Sequence, residues 1–62
     1  MISRRYTSEE TALLEAFWDP DTVILNIPAG ESVTLLGYRE EYSLVEYWGY
    51  RGYLPTELIM EP

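Results

Sequence analysis

The sequence contains no cysteine, no histidine and no lysine. Without cysteine the chain has no disulfide, no zinc–thiolate site and no thiolate nucleophile. Without histidine it lacks the commonest general base near neutral pH and the commonest metal ligand. Carboxylates and hydroxyls rarely suffice for catalysis on so small a scaffold. We therefore expect a protein that is not an enzyme and that holds no cofactor and no metal.

Positive charge is scarce, because four arginines face 11 acidic residues and the net charge is −7. Phosphate contacts need lysine and arginine, so direct binding to nucleic acid or to an anionic membrane is not expected. The same charge favours a protein partner with a basic surface or segment. It also leaves open a second hypothesis, a small acidic inhibitor or DNA mimic that occupies a basic nucleic-acid-binding surface.

The chain has no long apolar run, and none approaches the about 20 residues that a membrane-spanning helix requires. The first residues lack an apolar segment behind Arg4 and Arg5, so they do not form a secretion signal. The expectation is a cytoplasmic protein, unless the chain is excised from a longer one. With 62 residues, 47% hydrophobic and 15% aromatic, it is long enough for one folded domain.

The N-terminal third is ambiguous between helix and strand. Residues 1–7 are polar and predict a flexible segment ahead of a single domain at 8–62. Over 8–18, Thr7 and Glu10 fit a capping box, and apolar residues recur at helical spacing. An isolated helix of this length is marginal and tertiary context overrides local preference, so an extended strand remains open. The resemblance described below places such a first strand at 12–16.

From residue 22 onward the pattern has a period of two, which is typical of short strands. The predicted strands cover 22–27, 32–38, 42–48 and 50–54, followed at 56–59 by a 3₁₀ turn or a last short strand. Pro28–Glu31 and Gly49 mark the turns. With the first strand, this predicts an all-β fold, a small five-stranded barrel. The expected core is Leu25, Ile27, Val33, Leu35, Val45, Tyr47, Leu54 and Ile59, with Leu13 or Leu14.

Three segments resemble SH3-type barrels, and the bacterial SH3-like form most of all. IPAGESVTLLG at 27–37 looks like the turn and second strand of these domains. VEYWGYR at 45–51 fits their distal hairpin, and GYLPTELI at 52–59 looks like the strand, proline and 3₁₀ turn that close the barrel. The match extends over 12–59 in order and with nearly the same spacing, which implies a five-stranded SH3-like barrel.

The resemblance implies a groove for an extended peptide, built from aromatic rings and a proline. Tyr42 matches the groove tryptophan and Pro55 matches the groove proline, while Asp19 and Asp21 match the acidic loop that attracts a basic ligand residue. Three ring positions of the peptide-binding domains carry aliphatic residues here: Leu14, Ala16 and Leu58. The bacterial branch, which typically serves as a targeting or docking module, is therefore the better match.

The resulting hypothesis is a docking module that binds a basic or proline-containing segment through an acidic aromatic groove. The candidate partner-binding residues are Trp18, Asp19, Asp21, Tyr42, Trp48 and Pro55. Trp18 would stack on the ligand cation. Trp48, at a predicted hairpin tip, would be an exposed anchor.

Each of these residues also has a purely structural interpretation. Phe17 and Trp18 would cap the open end of the core, and Trp48 would fold back onto Tyr50 or Tyr38. The pairs Glu9–Glu10 and Glu40–Glu41 are interpreted as solvated surface. A structural subunit of a larger complex, or a homodimer through the aromatic hairpin, is the third function considered.

Overall fold

The computed structural model describes residues 3–62, and its main secondary structure is β-strand. Its elements, in chain order, are β1 (Ser3–Thr7), β2 (Thr11–Leu14), β3 (Val23–Ile27), β4 (Ser32–Gly37), β5 (Tyr42–Tyr47), β6 (Tyr50–Pro55), a 3₁₀ turn (Thr56–Leu58) and β7 (Ile59–Met60). The prediction of an all-β fold is confirmed. Both alternatives for 56–59 are present, since the 3₁₀ turn leads directly into a short strand.

The seven strands of residues 3–62 belong to one antiparallel sheet with the order β3-β2-β6-β5-β4-β1-β7. The sequence predicts five strands that close into a barrel. The sheet has two more, and no pairing joins its edge strands β3 and β7 in the described part of the chain. The architecture is therefore an open antiparallel sheet in which β2 crosses over to pair with β6.

Of the two interpretations of the N-terminal segment, the first strand is confirmed, at Thr11–Leu14, and the short helix over 8–18 is wrong. This strand pairs with β3 on one side and with β6 on the other, and it buries both Leu13 and Leu14. Burial between two strands outweighs the weak local preference of a short helix. No helix in residues 3–62 is long and apolar enough to cross a membrane.

The expectation of a flexible segment over 1–7 is corrected for Ser3–Thr7, which form β1 and pair with β4 and β7. The hydroxyl of Thr7 does not cap a helix. Its Oγ1 donates to the Pro28 carbonyl at 2.7 Å and accepts from the Glu31 N–H at 3.0 Å. These polar residues therefore form a strand, because the buried Thr7 hydrogen-bonds to the 28–31 turn. Residues 1 and 2 lie outside the described part.

The core contains the residues expected from the alternation, with two additions, Ile24 and the second leucine of β2. Its fully buried members are Leu13, Ile27, Val33, Val45 and Leu54, with Ile24, Leu25, Leu35, Tyr47 and Ile59 packed against them. Both leucines of β2 are buried, where the sequence predicted one. The register of β2 with β3 shifts between Leu13 and Leu14, which leaves Val23 47% exposed. The bulge interrupts the alternation of β3, so Val23 does not share the inward face with Leu25 and Ile27.

Candidate functional site

The hairpin of β5 and β6 presents a half-buried aromatic outer face. Tyr42 pairs with Pro55 and Leu44 pairs with Tyr53, and all four side chains lie on one face of the hairpin. The intervening residues Ser43, Val45, Gly52 and Leu54 point inward and are buried. The alternation of the strands therefore places the core residues on the inner face of the hairpin. The outer face carries aromatic rings at the end that lies opposite the turn.

Phe17 covers this face from the loop at 15–22. Its ring stacks on Tyr42 with centroids 6.0 Å apart, and it meets Tyr53 edge to face at 5.2 Å. Trp18 meets the ring of Phe17 edge to face, with centroids 5.0 Å apart, and remains 74% exposed. The structural interpretation of Phe17 is therefore right in part, because it packs on neighbouring rings while staying 41% exposed. Trp18 does not cap the core.

The loop that carries these rings is held by hydrogen bonds at its base. The Thr22 hydroxyl accepts from the Ala16 N–H at 3.0 Å, and Glu15 N–H donates to the Thr22 carbonyl at 2.8 Å. At the tip, Asp21 N–H donates to Asp19 Oδ1 at 3.0 Å. One carboxylate of the predicted acidic pair is thus engaged in the turn itself.

Two adjoining surface depressions meet at Tyr42 and form what we call the acidic aromatic groove. One lies between Phe17 and Tyr42, and the other extends from Tyr42 to Pro55. Their remaining lining residues are Arg39, Glu40, Glu41 and Glu57. Three carboxylates and one guanidinium give the groove a net negative charge. Among residues 3–62, no ion pair within 4.0 Å neutralises these three glutamates.

The loop that supplies the groove acids is fastened by a closed ring of hydrogen bonds. Arg39 N–H donates to Ser43 Oγ at 3.1 Å, and the hydroxyls of Ser43 and Thr56 are 2.7 Å apart. Thr56 Oγ1 in turn donates to the Arg39 carbonyl at 2.6 Å. A fourth contact joins Thr56 N–H to the Glu41 carbonyl at 2.8 Å. The buried Ser43 thereby fixes the backbone that presents Glu40 and Glu41.

The structure brings together only some of the residues chosen from the sequence. Tyr42 and Pro55 line the groove. Trp18 does not line it but contacts Phe17, which does. Asp19 and Asp21 share the loop of Phe17 but line neither depression. Trp48 lies at the opposite end of β5, so it is not part of this groove.

Sequence reasoning missed five residues that line the groove: Phe17, Arg39, Glu40, Glu41 and Glu57. The two adjacent glutamates were interpreted as solvated surface, and they do line the groove. A signal for them was present in the hairpin, because pairing the strands about the 48–49 turn places Tyr42 opposite Pro55. The residues that directly precede β5 and those that directly follow β6 then lie at the same end of the hairpin.

Trp48 occupies a two-residue turn in which both central residues have positive φ, 50° for Trp48 and 84° for Gly49. These values fit the type I′ turn that matches the twist of a hairpin, and the tight turn predicted at Gly49 is confirmed. The Trp48 ring is 83% exposed and meets the ring of its neighbour Tyr47 edge to face at 6.4 Å. It does not stack on Tyr50 or Tyr38.

Tyr47 links this turn to the 28–31 turn, since its hydroxyl donates to Glu31 Oε1 at 2.7 Å. This hydrogen bond, with smaller contributions from desolvation and the nearby negative charge, raises the pKa of Tyr47 above its usual 10.0. The neutral phenol is the form that the folded protein prefers. The stabilisation is therefore present below pH 10.0 and is lost as the pH rises through the higher folded-state pKa.

We expect Glu31→Gln to lower the titration midpoint of Tyr47, because the neutral amide still accepts a hydrogen bond but no longer disfavours the phenolate. NMR titration of ring-labelled tyrosine measures this midpoint residue by residue. Glu46→Gln is the matched control, since Glu46 pairs with Arg51 and makes no hydrogen bond to Tyr47. Identical Tyr47 midpoints in the wild type and Glu31→Gln would show that the contact does not set the pKa.

Within residues 3–62, no group of three or more acidic side chains is arranged to hold a metal ion. The groove instead offers rings, carboxylates and a proline to a ligand that approaches from solvent. No family model, curated protein or solved structure matches the chain.

Proposed function

We propose that this protein is a non-catalytic docking module that binds a basic or proline-containing segment of a partner protein in the acidic aromatic groove. The observation that carries the proposal is the meeting of Phe17, Tyr42 and Pro55 with three glutamates at one surface depression. Rings and proline suit an extended apolar segment. Carboxylates beside rings suit an arginine or lysine within that segment.

The proposal includes an SH3-like relationship. In this proposal β2–β6 correspond to the five strands expected from the resemblance, although the sheet is open and β1 and β7 extend it. Support comes from the 3₁₀ turn that directly follows Pro55 and from the pairing of β2 with β6. The resemblance placed the selecting charge on Asp19 and Asp21. We now assign that role to Glu40, Glu41 and Glu57, because these residues line the groove.

The test is binding to immobilised peptides that combine proline and arginine, with the same peptides carrying citrulline for arginine. We expect the double substitution Glu40→Gln/Glu41→Gln to weaken binding at least about tenfold, since it removes two carboxylates from the groove. The matched control is Glu9→Gln/Glu10→Gln, which removes the same charge from an exposed pair outside the groove. Tyr42→Ala is expected to weaken binding similarly, with the exposed Tyr50→Ala as its control.

The same variants separate docking from the acidic decoy considered above, which the net charge of −7 favours. A DNA mimic acts through its overall charge. Both glutamate pairs would then contribute alike, and affinity for a basic DNA-binding surface would fall steeply with salt. Equal losses from the two double variants contradict the groove and favour the decoy. If citrulline peptides bind as well as arginine peptides, the groove does not select charge.

A further inference from the structure

The second surface feature of the protein is the depression beside the Trp48 turn, at the far end of the β5–β6 hairpin. Its lining residues are Glu31, Ser32, Thr34, Glu46, Trp48 and Gly49. They come from β4 and the residue before it, from β5 and from the turn at 48–49. The depression therefore combines one large exposed ring with two carboxylates at one end of the hairpin.

Neither the turn nor the core explains a tryptophan at position 48. A positive φ at this position favours asparagine or glycine, and a bulky ring in the left-handed region is a strained choice. The ring is 83% exposed, so it adds little to the core. In the described part of the chain, the ring of Trp48 meets one other aromatic ring, that of the adjacent Tyr47. A strained and exposed ring is a reason to look for a ligand.

The charges beside the ring define which ligand fits. Glu46 is already paired with Arg51, whose Nε lies 3.0 Å from its Oε1. Glu31 has one oxygen held by the Tyr47 hydroxyl, and among residues 3–62 no arginine lies within 4.0 Å of it. Glu31 thus presents a negative charge, oriented by Tyr47, in a depression whose wall includes the Trp48 ring.

We propose that Trp48 and Glu31 form a second binding site, which takes the guanidinium of an exposed arginine on a partner protein. A guanidinium stacks on an aromatic face and also donates to a carboxylate through its planar fork. Both features occur together in this depression. The ligand is a single arginine side chain at the surface of a partner, so no extended segment is required.

A second copy of the chain is a poorer occupant, because each copy carries a net charge of −7 and the depression itself is acidic. The site also stands apart from the acidic aromatic groove. Tyr42 and Tyr47 begin and end β5, which separates them by about 17 Å along the strand. The inference therefore does not rest on the proposed function of the groove.

The test is an NMR titration with a short peptide of alternating glycine and arginine, and with its citrulline counterpart. The probes are the indole N–H signals of Trp48 and Trp18 and the backbone amides of Thr34 and Gly49. We expect the Trp48 indole and both amides to shift with the arginine peptide and to stay in place with citrulline. Trp18→Phe, which alters the groove region only, is expected to leave this response unchanged.

Two variants test the residues of the site. Trp48→Asn places the preferred residue in the turn, so the thermal midpoint is expected to stay or rise while binding, followed by the Thr34 amide, weakens at least about fivefold. Glu31→Gln keeps an acceptor for Tyr47 and removes the charge, and it is expected to weaken binding by a similar factor.

Three results would overturn the second site. The first is a Trp48 indole that does not respond, or responds equally to citrulline. The second is a response at the Trp18 indole alone, which assigns arginine binding to the groove and leaves the proposed function intact. The third is a Trp48 signal that shifts on dilution without peptide, with a matching change in sedimentation, which makes a second copy the occupant.

Discussion

Replacing Gly52 by alanine is expected to destabilise the fold by about 3 kcal/mol, because the position has no room for a methyl group. A Cβ at this position would lie 2.6 Å from the Leu14 carbonyl oxygen and 2.8 Å from Leu13 Cγ. The carbonyl belongs to the backbone of β2, where that strand crosses to pair with β6. A domain of this size has about 3–9 kcal/mol of stability in total, so little would remain.

Denaturant unfolding measures this loss, and Gly37→Ala is the matched control. A Cβ at Gly37 would meet only Leu44 Cβ, at an ordinary 3.6 Å, so the change is expected to stay within about 1 kcal/mol. Equal unfolding midpoints for the two variants would contradict the close approach of β2 to β6.

The strands that the sequence predicts well are those in which apolar and polar residues alternate clearly and in which glycine or proline marks the ends. β4, β5 and β6 have bounds within a residue of the prediction, because Gly30, Gly49 and Pro55 mark where each begins or ends. Their inward positions are the observed core, with Ile27 from β3. Local sequence suffices when each strand pairs with its neighbour in the chain.

The N-terminal part was predicted poorly because its structure depends on distant partners. β1 pairs with β4 and β7, and β2 pairs with β6, so the residues at 3–14 take their conformation from strands that lie far along the chain. The hydroxyl of Thr7 suits a helix cap in sequence and bonds to the 28–31 turn in the structure. Local preference cannot distinguish these outcomes.

The candidate site was predictable in its rings and less so in its charges. Tyr42 and Pro55 follow from the resemblance and from the hairpin register. Which acids accompany them depends on how the loops fold over the sheet edge. Asp19 turns its carboxylate to its own loop, while the ring of hydrogen bonds around Ser43 brings Glu40 and Glu41 to the groove. The spacing of residues in the sequence does not indicate these hydrogen bonds.

Ser43→Ala is expected to cost about 2 kcal/mol and to loosen the loop that carries the groove acids. Ser43 is fully buried, and its hydroxyl accepts from Arg39 N–H and contacts Thr56 Oγ1. Alanine leaves the Arg39 N–H without that acceptor. The cost is therefore that of an unsatisfied polar group as well as of a lost hydrogen bond.

Hydrogen exchange distinguishes this local effect from general destabilisation. The amide of Arg39 is expected to exchange faster in Ser43→Ala by more than the fall in global stability explains, while core amides such as Val45 follow the global change. Ser32→Ala, at an exposed position of β4, is the control and is expected to change neither. Thr56→Val breaks the same ring, so the double variant should cost less than the sum of the two. Strict additivity would show that the two hydroxyls act independently, and the loop would then need another source of order.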